Sequence, residues 1–132
     1  MPNPIVIFEQ QTYDLDGWPY RVEANCIPPD EADARIRDRF DSRAIDLPKE
    51  LGSIWFEVFD PVGAWAATAT FACGEGVVRC DLIEVERPHR RQGIATVVYI
   101  LASKIFDAPV VPASVRSDDA LAFWAGRTEI RG

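Results

Sequence analysis

The chain has few thiols and no spacing of them that builds a site. Its three cysteines, Cys26, Cys73 and Cys80, are odd in number and lack the C-x-x-C pattern, which argues against a disulfide framework and gives no zinc motif. They read as buried thiols in a reducing compartment. No apolar run is long enough to cross a bilayer, and the opening stretch MPNPIVIFEQQ carries neither the basic segment nor the cleavage site of a secretory signal. The expected location is therefore the cytoplasm, with no membrane partner. Histidine is confined to His89, so no metal site is expected. Basic residues are also in deficit, with 14 Lys and Arg against 21 Asp and Glu and a net charge of -7. Such a balance repels a phosphate backbone over most of the surface and excludes broad nucleic-acid binding. It mildly favours a cationic partner.

What is present describes one ordinary globular domain, residues 1–132, with 48% hydrophobic and 27% charged residues. No internal repeat, low-complexity tract or linker divides it. Runs rich in β-branched and aromatic residues at 5–13 and 20–26, separated by DLDG, predict a hairpin. Residues 27–45 place prolines and acids first and then Ala32, Ile36, Phe40 and Ala44 at intervals of four, which predicts an amphipathic helix. Strand-like runs at 53–59, 64–72 and 77–86, punctuated by DPVG and CGEG, predict an antiparallel meander. At Gly93 the period changes: Ile94, Val97, Val98, Leu101 and Ile105 share one helical face up to Phe106. A short strand at 110–115, a capped helix at 117–126 and a last short strand complete an α/β or α+β mixed sheet.

The chemistry gathers at the junction ERPHRRQGIA, where Arg87, His89, Arg90 and Arg91 crowd before a glycine and an apolar helix. A helix N-terminus has amides without internal partners and a partial positive charge, so it holds anions without special side chains. The amides of Arg91, Gln92, Gly93, Ile94, Ala95 and Thr96 can converge on a phosphate, with Arg90 or Arg91 adding a charged hydrogen bond. No GKS or GKT occurs and no G-x-G-x-x-G follows a strand, which removes the P-loop and dinucleotide-fold readings. The remaining pattern, Val85, Arg90, Gly93 and Ala95 between a strand and an amphipathic helix, resembles the acetyl-CoA loop of the GNAT superfamily of N-acetyltransferases.

The resemblance extends from Ser53 to Trp124, where the order of strands and helices is similar to the GNAT core. It implies a central, mostly antiparallel twisted sheet flanked by helices. It also implies acetyl-CoA as co-substrate, no metal, and direct transfer of the acetyl group to an unidentified primary amine in a ternary complex. The diphosphate would lie on the backbone of Arg91 to Thr96, with Arg90 at the first basic position. The strand at Ile83 and Val85 would pair with the pantetheine amides, and a backbone N–H near Val85 would polarise the thioester carbonyl. Asp81 is the favoured general base, with Glu84 the second candidate. Alternation sets Asp81 on one face with Ile83 and Val85, and Glu84 on the other, unless a bulge reverses a face. The helix at LAFWAG carries Phe123 and Trp124 where many family members have a tyrosine acid.

Other residues read more simply. Trp55, Phe56, Trp65 and Phe71 are expected in the core, while Arg87 and His89 receive no task. Trp18, beside a turn glycine, fits either core or site. The C-terminal hairpin of the family is shortened here, and a bare sheet edge invites homodimer formation. Because the tyrosine is missing and the C-terminus short, a CoA-binding module without efficient catalysis is the alternative. A partner-binding protein without any cofactor is a third.

Overall fold

The computed structural model describes residues 10–27, 48, 50–112, 124–127, 129 and 130. Among these, one sheet holds six strands in chain order: β1 (Gln10–Asp14), β2 (Arg21–Ile27), β3 (Gly52–Phe59), β4 (Trp65–Gly74), β5 (Val77–Val85) and β6 (Val110–Val111). Neighbours are antiparallel except β5 and β6, which are parallel. A 3-10 turn (Arg87–His89) and a helix, α1 (Ile94–Phe106), make the crossover that a parallel pair requires. The architecture is thus α+β around a mostly antiparallel sheet. None of the described helices is long and apolar enough to cross a membrane.

The meander and the helix after Gly93 stand where the period placed them. The hairpin is present, although residues 5–9 lie outside the described residues. Ile27 ends β2, paired with Ser53, instead of opening a helix, and the rest of that expected helix is outside the described residues. The same holds for 113–123, so the strand at 110–115 is described at Val110–Val111 and the helix at 117–126 from Trp124 onward. Ile130 bridges antiparallel to Val110.

Cross-strand partners share a face, so the register sorts the side chains. Ala24, Phe56 and Ala69 are aligned, as are Val22, Val58 and Ala67, and Cys26, Ile54 and Phe71. These residues lie on the α1 side and are buried. Phe56, Phe71, Tyr99 of α1 and Trp124 form an edge-to-face chain with centroids 5.7, 5.2 and 5.4 Å apart, a geometry worth about 0.5–1.5 kcal/mol per pair beyond area burial. The opposite face is polar. One cross-strand row there reads Thr12, Glu23, Glu57, Thr68 and Glu84.

The aromatic expectation is corrected accordingly. Phe56 and Phe71 are in the core, but Trp55 and Trp65 lie on the polar face, Trp65 being 39% exposed, because adjacent positions of a strand point to opposite sides. Their indoles are committed to a hydrogen-bonded group. Trp55 Nε1 donates to Glu57 Oε1 (2.9 Å), Thr68 Oγ1 donates to Glu57 Oε2 (2.6 Å), and Trp65 Nε1 donates to Thr68 Oγ1 (2.8 Å). An open cleft of about 450 Å³ is lined there by Glu23, Asn25, Trp55, Glu57, Phe59 and Trp65, among others. Gly74 closes the β4 end by close approach, since a Cβ there would stand 2.6 Å from the Pro48 carbonyl oxygen.

Candidate functional site

The site begins at an irregularity in β5. Thr70 pairs with Leu82 but Phe71 pairs with Cys80, so Asp81 is the extra residue of a β-bulge. The Asp81 carboxylate accepts a hydrogen bond from Thr70 Oγ1 at 3.4 Å, and Thr70 is aligned with Trp55 on the polar face. Asp81 therefore shares a face with Leu82 and Glu84, not with Ile83 and Val85. This corrects the alternation expected from the sequence. The inserted residue resets the parity, so the two carboxylate candidates stand on one side of the sheet while Ile83 and Val85 pack toward the core.

The same register decides where the backbone groups point. Glu86 N donates to Ala66 O at 2.8 Å, which makes 66/86, 68/84 and 70/82 the bonded pairs of the β4–β5 ladder. The N–H and C=O groups of Ile83 and Val85 consequently face away from β4. On that outer edge β6 pairs only with Val78 and Arg79. Among the described residues no strand pairs with β5 beyond the bulge. Arg90 already touches this edge, since its Nε donates to Val85 O at 3.1 Å.

From Val85 the chain turns through Arg87–His89, with Pro88 fixing the first turn, and reaches α1 in a short, strained loop. Arg91 has φ 64° and Gly93 φ 82°, both left-handed, a region that costs a non-glycine residue on the order of 1–2 kcal/mol. Gly93 is the N-cap. A Cβ placed on it meets nothing within 4 Å, so the space beside its Cα is open. The first helical bond is Val97 N to Gly93 O at 3.0 Å, and no side chain caps the helix or places an acid in its first turn. The amides of Gly93, Ile94, Ala95 and Thr96 precede that bond and have no partner within the helix. Arg90, Arg91, Gln92, Gly93 and Thr96 are exposed, and Ile94 is buried as the anchor.

Two more groups frame the site. Cys80, beside the bulge, bonds Tyr99 of α1; burial, followed by the nearby Asp81 charge, pushes its thiol up to about 12. Burial, followed by the charge of Cys80, raises Tyr99 as well. A thiol so far from ionisation is no nucleophile at neutral pH. On the other side of the loop stands the β1–β2 turn, where Trp18 Nε1 donates to Gln92 O (3.2 Å) and Trp18 packs on Tyr20 at 5.0 Å. The Tyr20 hydroxyl meets His89 Nδ1 at 2.9 Å.

The sequence-designated residues thus fall into two groups. Ile83, Val85 and residues 90–96 form one continuous strand edge and helix terminus, while Asp81 and Glu84 lie on the polar face of the same strand. Trp18, Tyr20, Asp60 and His89 were missed as loop contacts, because partners 69 and 74 positions apart leave no local pattern. Among the described residues no cluster of His, Cys, Asp and Glu could hold a metal ion. No protein-family model matches the chain, and no curated protein matches it.

Proposed function

We propose that this chain is an acetyl-CoA-dependent N-acetyltransferase of GNAT type that moves an acetyl group directly to a primary amine. One observation carries the reading. A 13-residue helix opens on a left-handed glycine with no side-chain cap and no acid in its first turn, one short loop after a strand whose Ile83 and Val85 backbone groups face away from β4. An uncompensated helix N-terminus suits a diphosphate, and the Ile83–Val85 edge suits the amides of pantetheine.

In this reading the Val85 N–H donates to the thioester carbonyl and stabilises the oxyanion that develops on attack, an effect of several kcal/mol in preorganised sites. The neutral amine forms the C–N bond, the C–S bond breaks, and the CoA thiolate leaves and takes a proton from water. Asp81 accepts the proton of the amine, directly or through water, with Glu84 next on the same face. The un-ionised state of Cys80 favours direct transfer over a covalent intermediate. A cationic acceptor is supported by the row Glu23, Glu57 and Glu84 on the polar face and by the net charge of -7.

The test is release of free CoA from acetyl-CoA over a panel of primary amines. Wild type should turn over and Gly93→Asp should not, because a carboxylate at the cap repels the diphosphate; Gly93→Ala, which carries the same left-handed strain without the charge, separates that repulsion from the backbone cost. Normal turnover in Gly93→Asp would overturn the site. A second reading, a CoA-binding module without efficient catalysis, is favoured by the Arg90 bond to Val85 O, which a bound pantetheine has to displace. Tight acetyl-CoA binding without turnover, unaltered by Asp81→Ala, would support it. No rise in melting temperature with acetyl-CoA would remove both readings.

A further inference from the structure

The open cleft on the polar face brings aromatic rings and carboxylates into one lining. Glu57 is only 7% exposed, and its carboxylate is oriented by Trp55 Nε1 at Oε1 (2.9 Å) and by Thr68 Oγ1 at Oε2 (2.6 Å). Trp65 steadies this group through its 2.8 Å bond to Thr68 Oγ1. Glu23, the partner of Glu57 across the β2–β3 ladder, accepts a hydrogen bond from Gln10 Nε2 at 3.1 Å. Trp55, Phe59 and Trp65 add rings to the same lining, and the faces of such rings attract cations. A cation of the chain itself already stands at the rim: the Arg21 guanidinium lies 5.3 Å from the centre of the Phe59 ring, and its Nη2 donates to Glu23 Oε2 at 3.4 Å. Ring and carboxylate together hold that organic cation.

The geometry points to a subsite for an alkylammonium group, with Glu57 and Glu23 opposing its charge and the rings of Trp55, Phe59 and Trp65 receiving its apolar stem. The volume of about 450 Å³ is that of a small-molecule site. A bare metal ion does not suit a lining so rich in carbon, because hard cations demand a shell of oxygens. On the acetyltransferase reading, on which this second step rests, the subsite gives the acceptor a class. Glu23, Glu57, Thr68 and Glu84 form one cross-strand row, so Glu57 stands two strand spacings, about 10 Å, from Glu84. An acceptor that reacts beside Asp81 and Glu84 and is also anchored at Glu57 carries a second nitrogen about that far from the first. The acceptor is then a diamine. Its near nitrogen, neutral, forms the C–N bond as the C–S bond breaks, and its far ammonium keeps its proton and exchanges no bond.

Nitrogen-15 NMR with diaminoheptane as the probe reads the subsite without acetyl-CoA. The indole N–H signals of Trp55 and Trp65 should shift saturably, while that of Trp18 stays in place. Glu57→Gln should weaken the probe about tenfold and Trp65→Ala, at a more exposed position, about fivefold; Trp65→Phe, which keeps a ring, should stay close to wild type. Arg21→Gln removes the competing cation and should tighten binding about threefold, whereas Lys104→Gln, the same change of charge on α1, should not. Unshifted Trp55 and Trp65 signals, or shifts that survive both Glu57→Gln and Trp65→Ala, would overturn the subsite. Release of CoA then compares diaminoheptane with heptylamine, the same chain without the second charge. A kcat/KM about tenfold higher for the diamine, lost in Glu57→Gln, is the expected result. Equal values would overturn the diamine assignment and leave the acetyltransferase reading intact. Saturable indole shifts without CoA release from any amine would overturn that reading and the diamine step with it, and leave the subsite standing.

Discussion

The two ends of α1 contrast sharply. Its C-terminus is closed by the chain itself: Asp107 takes the left-handed conformation, its N–H donates to Lys104 O (3.3 Å), Ala108 N–H donates to Ser103 O (3.2 Å), and Ser103 Oγ returns a bond to Ala108 O (2.8 Å). Lys104 in the last turn complements the dipole. The N-terminus also rests on a left-handed residue, Gly93, yet has no side-chain cap, no acid in its first turn and nothing within 4 Å of a Cβ on that glycine. In a chain with 21 carboxylates, that bare end is a feature of the junction, not of the composition. At one end the first amides have no partner within the helix, while at the other the carbonyls of Ser103 and Lys104 are answered by the chain itself.

The contrast can be tested from the shared middle outward. Phe71 anchors α1 to β4 through Tyr99, so Phe71→Ala should loosen both ends together and cost about 3–5 kcal/mol in urea unfolding. Alkaline pH reaches the same anchor. The Cys80 thiol, pushed from 9.0 up to about 12, stays protonated in the folded chain while the unfolded chain ionises. Stability is then intact below pH 9.0 and falls as pH rises toward about 12. Urea midpoints followed across that range should show the fall in wild type and less of it in Cys80→Ala.

Substitutions at the two caps separate the ends. Gly93→Ala meets no atom within 4 Å and carries only the left-handed strain, so it should lower stability by about 1 kcal/mol. Its loss of acetyl-CoA affinity should exceed that cost if a ligand fills the open space, and thermal shifts with and without acetyl-CoA compare the two. Asp107→Gly removes the same strain at the closed end and should raise stability by about 0.5–1 kcal/mol with acetyl-CoA affinity unchanged. A matching loss of affinity at both caps would erase the distinction between the ends.

Much of the fold was legible because its signals are local. Alternation in 53–59 and 77–86, the turn residues between them, and the change of period at Gly93 depend on nearest neighbours along the chain. The loop was legible for the same reason, since strand, glycine and helix are adjacent. The faces were not. The strand itself formed where expected, but Asp81 does not share the face of Ile83 and Val85, because the extra residue is defined only against its partner strand, where Thr70 meets Leu82 and Phe71 meets Cys80. Trp55 and Trp65 mislead in a related way. Their composition suits a core, whereas their register with Asn25, Thr70 and Phe59 puts them beside Glu57 on the polar face.

By itself the sequence determined a chain that alternates into strands, changes to helical period at Gly93, and carries a glycine with basic neighbours at the junction of strand and helix. It could do so because periodicity and backbone freedom are properties of short segments. Only the tertiary structure decided that Asp81 joins Glu84, that the outer amides of Ile83 and Val85 turn away from the sheet, and that His89 bridges Tyr20 and Asp60. Those outcomes depend on strand register and on turns far apart in sequence meeting at one ring, and no local pattern encodes either.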